Sequence, residues 1–156
     1  MIRKTNLSWI ALSVVVGLVT PSIIIFSLEV FVGRISPIAA ILDIGRREFA
    51  EGHNLFLLAV LGLIPFVLLS LASLIIGRHL TPSRQVCITI GGLTGILAFM
   101  VPSHVVVWYP LYGGEHMSST AVIAFLFIPF YCIPTLVIGI IIGWAVSFLP
   151  LRRHAP

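Results

Sequence analysis

Four long stretches of this chain carry no formally charged side chain, and they dictate most of what it can fold into. They cover residues 5–28, 55–77, 85–109 and 117–151. Each exceeds the roughly 20 residues a helix needs to cross a ~30 Å hydrocarbon core. No water in that core can satisfy backbone N–H and C=O groups, so a spanning segment must bond its own backbone and becomes a helix. The sequence therefore predicts an all-α membrane protein, a bundle of four transmembrane helices near 6–31, 55–77, 86–109 and 119–149. Together, residues 1–156 read as a single integral membrane domain. Composition agrees: 59% of the 156 residues are hydrophobic and 9% are charged, against about a quarter charged in soluble domains.

Arg3 and Lys4 before the first apolar run resemble the charged start of a signal peptide. The run is too long for one and no small-residue cleavage site follows it, so a retained helix is expected. Lys and Arg in the remaining loops set orientation. Arg3, Lys4, Arg78, Arg84, Arg152 and Arg153 lie on one side; Arg34, Arg46 and Arg47 lie on the other. The majority predicts both termini in the cytoplasm, with loops 33–54 and 110–118 facing outward, and the bacterial inner membrane as the location. The net charge of +4 then reflects topology and lipid headgroups. Nucleic acid is not an expected partner, because there is no soluble basic domain to hold it.

The segment 33–54 is the one long loop. Pro37 can open a helix, with Ile38, Ile41, Leu42 and Phe49 on one side and charges elsewhere. This predicts a short amphipathic helix on the membrane surface between the first and second spans. "EGHNLFLLAVLGLIPF" from Glu51 and "EHMSSTAVIAFLFIPF" from Glu115 share an Ile-Pro-Phe at the same distance, which suggests two tandem helical hairpins related as parallel repeats. Proline occurs in every span. Small residues four apart, including Gly91/Gly95 and Gly139/Gly143, predict close helix packing toward the cytoplasmic side.

Chemistry-bearing residues gather at the outward end. Glu51, His53, Glu115 and His116 are candidate metal ligands or proton carriers, although "GGEHMSST" at 113–120 also reads as a tight turn and helix start. Trp108, Tyr109 and Tyr112 fit an aromatic belt at the headgroups. His104 lies within a span. On a straight helix it points away from the Gly91/Gly95 face, so it is expected, with Trp108 and Tyr109, to contact a partner or lipid. No cofactor is expected; a single haem or chlorin at His104 is the alternative. Cys87 and Cys132 read as apolar fillers, since no C-x-x-C supports thiol exchange. No nucleophile–base pair or carboxylate pair shares a depth.

The resulting expectation is a non-catalytic accessory or assembly subunit of a larger inner-membrane complex, with lipids and other membrane subunits as partners. The alternative is a small channel or transporter subunit with an outward acidic and histidine-lined vestibule.

Overall fold

A computed structural model describes residues 4–47, 55–114 and 121–148. They form six helices: α1 (Lys4–Phe31), α2 (Pro37–Arg47), α3 (Leu55–Gly62), α4 (Ile64–Gly77), α5 (Pro82–Gly113) and α6 (Ala121–Val146). Four segments are long and apolar enough to cross a membrane: Ser8–Phe31, Leu55–Gly77, Pro82–Gly113 and Ile123–Val146. The chain is an all-α, four-span integral membrane protein, and its exposed apolar faces contact lipid.

The second span is α3 followed by α4. It breaks at Leu63, where Leu63 N–H reaches the Val60 carbonyl, three residues back. Pro65 explains the break: it has no N–H for the Leu61 carbonyl and its ring crowds the preceding turn. Pro129 occupies the matching place in the suggested repeat, yet α6 continues through it. The two halves are thus built differently at this point.

Helix α5 is longer than the expected 86–109. Pro82 stands in its first turn, where a missing N–H costs nothing. Pro110 does not end it either, because only the last turn loses a bond. The helix stops one turn later at Gly114, whose φ of 80° is the left-handed conformation that glycine tolerates and most residues do not.

Helices α5 and α6 form the most extensive contact, antiparallel and in constant register. A Cβ on Gly143 would strike the Cys87 carbonyl, and a Cβ on Gly91 the Gly139 carbonyl. Gly95 lies against the Thr135 carbonyl in the same way. One step further, Phe99 meets Tyr131 with ring centroids 6.4 Å apart. Four residues up one helix correspond to four down the other. This spacing lets backbones approach directly, so dispersion and close packing act where lipid supplies no hydrophobic drive. Gly17 on α1 receives the Phe66 ring instead, and Gly77 lies on the Gln85 side chain.

At mid-depth the core is closed by Ile25, Phe66, Leu69, Ile96 and Met100, all fully buried. Toward the α4–α5 turn, Ser73 and Thr89 hydroxyls pair at 3.1 Å and Gln85 donates to the Ser73 carbonyl at 3.4 Å. At the opposite end, α2 folds across the end of α1. Its Ala40 is fully buried, while Ile38, Ile41 and Leu42 are exposed. That pattern is the expected amphipathic helix, with an apolar edge free to enter the membrane interface.

Candidate functional site

The α2 end of the bundle holds its charged interior. Glu29 stands in the last turn of α1, where the negative end of the helix dipole opposes a carboxylate. It is also 0% exposed. Such a placement needs compensation, and α2 supplies it. Arg47, in the last turn of α2, brings one nitrogen, Nη2, to Asp43 at 2.6 Å and to Glu29 at 4.0 Å. Tyr112 bridges them: its hydroxyl donates to Glu29 Oε1 at 3.2 Å and accepts a long hydrogen bond from Arg47 Nη1 at 3.5 Å. No N–H or O–H donor reaches Glu29 Oε2, and the Asp43 carboxylate also lies beside Glu29. The backbone joins in, since Ile35 N–H donates to the Glu29 carbonyl at 3.0 Å. Between them Arg34 takes a φ of 52°, a left-handed conformation uncommon for a residue with a Cβ.

Below this cluster, α5 continues inward as a row. Tyr112, Trp108 and His104 are four residues apart, one turn or about 6 Å per step. His104 is 2% exposed and Trp108 5%. Phe125 of α6 covers both, with centroids 5.7 Å from His104 and 4.9 Å from Trp108. His104 Nδ1 and Trp108 Nε1 have no hydrogen-bond partner. The site therefore combines a clasped carboxylate at the rim with two enclosed, unpaired ring nitrogens beneath it.

This corrects the sequence expectation for His104 and Trp108, which face the interior of this chain's own bundle and not a partner or lipid. The error lay in projecting one straight face along the helix. The buried row of α5 is Ile88, Gly92, Ile96, Met100, His104 and Trp108, a four-residue repeat that rotates about 40° per step on a helix of 3.6 residues per turn. Three steps from Gly92 turn the row by about 120°, which brings His104 inside. Tyr109 remains outward, 47% exposed. The haem or chlorin alternative does not fit, because His104 is enclosed and stacked on Phe125, and a macrocycle would have to displace α6. Gly91, Gly95, Gly139 and Gly143 meet one another as described above.

Glu51, His53, Glu115 and His116 lie outside the described residues. Among the described residues, no three His, Cys, Asp or Glu side chains come together as a metal-binding group. None of Glu29, Asp43, Arg47 and Tyr112 is among the candidate ligands that the sequence suggested. The available signal was the only acidic residue in any spanning helix, followed by an Asp–Arg pair at i, i+4 on the next helix. Comparison with known protein families, curated proteins and solved structures finds no match.

Proposed function

We propose that this chain is a non-catalytic accessory or assembly subunit of a larger inner-membrane complex. Both termini are cytoplasmic in this reading, which places α2 and the Glu29 cluster on the outer face. The observation that carries it is the closed mid-depth core. Ile25, Phe66, Leu69, Ile96 and Met100 fill the centre without exposure, so the chain offers its surfaces and not a passage. The charged groups at the rim hold α2 onto the bundle and shape its outer end.

The test is deletion of the chain from its native host, followed by native-gel comparison of the inner-membrane complexes. One complex should lose mass or fail to assemble, and re-expression should restore it. An unchanged set of complexes would contradict the proposal.

A second reading, a small channel or transporter subunit with an outward polar vestibule, draws on Glu29, His104 and Trp108. Buried polar atoms without partners in the outer half of a bundle are the usual mark of an ion or proton site. Reconstituted vesicles that show a proton or cation flux abolished by Glu29→Gln would favour it.

A further inference from the structure

The carboxyl of Glu29 is fully enclosed, and the charges that face it do not balance. Among the described residues, the titratable and charged groups around it are Asp43 and Arg47 from α2 and Tyr112 from α5. His104 lies two turns deeper along α5, beyond Trp108. Arg47 brings a single nitrogen to both acids, 2.6 Å from Asp43 and 4.0 Å from Glu29. One cation thus serves two carboxylates, and the Tyr112 hydroxyl is neutral. With both acids ionised, the cluster would carry a net negative charge with one carboxylate wholly out of water, a costly arrangement.

The free oxygens lie where the missing positive charge belongs. Tyr112 donates to Glu29 Oε1, which leaves Oε2 buried without a donor. Asp43 Oδ2 is buried too, and it meets Arg47 as an ion pair without hydrogen-bond alignment. The two carboxyls lie within hydrogen-bond reach of each other. Two ionised carboxylates repel at that range, whereas a protonated carboxyl donates to an ionised one. A metal ion fits poorly. Hard cations take about six oxygen ligands; no third acidic, His or Cys side chain joins the pair among the described residues, and Arg47 already occupies one side of Asp43. A proton needs one donor and one acceptor, which is what the pair offers.

We propose that Glu29 and Asp43 form a proton-binding site, in which one shared proton latches the C-terminal turn of α2 onto the end of α1. While the proton is bound, Glu29 Oε2–H donates to Asp43, and the pair carries one negative charge opposite Arg47. Loss of the proton leaves two adjacent carboxylates to one guanidinium, and the turn carrying Asp43 and Arg47 moves off Glu29 toward water. Ala40, buried earlier in α2, keeps the helix attached. The docked state binds one more proton than the open one, so the latch is closed on the acid side and opens as pH rises. The inference goes beyond the accessory-subunit reading and holds whether or not another subunit is present.

The test is a pH titration of the full chain in lipid nanodiscs, read by infrared spectroscopy, with Glu29→Gln beside the wild type. The wild type should show a protonated-carboxyl C=O band that is lost as pH rises and that Glu29→Gln lacks. Pulsed EPR follows the same titration between spin labels at Gly45 and Leu111, both exposed, in a chain with Cys87 and Cys132 replaced by Ala. Their distance should be narrowly distributed on the acid side and should lengthen and broaden on the alkaline side. With Glu29→Gln it should stay narrow throughout, because the carboxamide NH2 donates to Asp43 at every pH. A merely structural role for Glu29 would not remove the pH dependence while keeping α2 docked. No wild-type band that Glu29→Gln removes, a wild-type distance indifferent to pH, or the same pH response in Glu29→Gln would each overturn the proposal. The infrared arm needs no change at the cysteines and decides alone if the labelled chain does not fold.

Discussion

Glu29 is the residue on which the α2 end of the bundle depends. A fully buried carboxylate at a helix C-terminus is costly unless a cation and donors face it, and Arg47 and Tyr112 are those groups. Breaking a fully buried pair typically costs about 3–5 kcal/mol; Arg47 is partly exposed, so Arg47→Ala should cost less, about 1–3 kcal/mol. Adding Glu29→Gln to Arg47→Ala should recover part of that loss, because the stranded charge is gone. Thermal unfolding in detergent, followed by tryptophan fluorescence, checks both. If Arg47→Ala unfolds at the wild-type temperature, the clasp contributes nothing. Tyr112→Phe removes both hydroxyl contacts, the bond donated to Glu29 and the long one accepted from Arg47, and should cost about 1.5–3 kcal/mol.

At the scale of elements, the α5–α6 pair is the firmest part of the molecule. Gly91 and Gly139 touch backbone to backbone, so even a methyl group forces the helices apart. Gly91→Ala or Gly139→Ala should destabilise by about 1–3 kcal/mol, the usual cost of overpacking. Gly45 on α2 has nothing within 4 Å of an added Cβ. Gly45→Ala should instead stabilise by up to about 1 kcal/mol through helix propensity. Resistance to unfolding in mixed micelles separates the two classes; equal behaviour would mean that the glycine contact is not close-packed.

These elements also mark how far the sequence could be read. Span length and apolarity made the four helices legible, and the four-residue glycine spacing made the α5–α6 seam visible. The orientation of His104 was not legible, because it depends on how the buried row drifts around α5 as α6 crosses it. The break at Leu63 and the continuity at Pro129 were equally hidden, since the same Ile-Pro-Phe occurs at both. Arg47, Asp43 and Tyr112 were assigned to a surface helix and an aromatic belt. Only the fold over the end of α1 brings them to Glu29.

For the whole molecule, orientation decides which side the Glu29 cluster faces. A single cysteine at Ala39, exposed on α2, in a chain with Cys87 and Cys132 replaced by Ala, should react with an impermeant thiol reagent in intact cells. Reaction only after lysis would place α2 in the cytoplasm and reverse the topology. Gly114 is a poorer probe position, because its left-handed φ disfavours a side chain.

The central claim is that this chain works as part of a larger membrane assembly, and native mass spectrometry of the tagged protein extracted gently from its own membranes tests it most directly. The account predicts a particle of fixed stoichiometry in which one copy or a few copies of this chain accompany at least one different membrane polypeptide. A particle containing this chain alone, as a monomer or as a homo-oligomer, would contradict it.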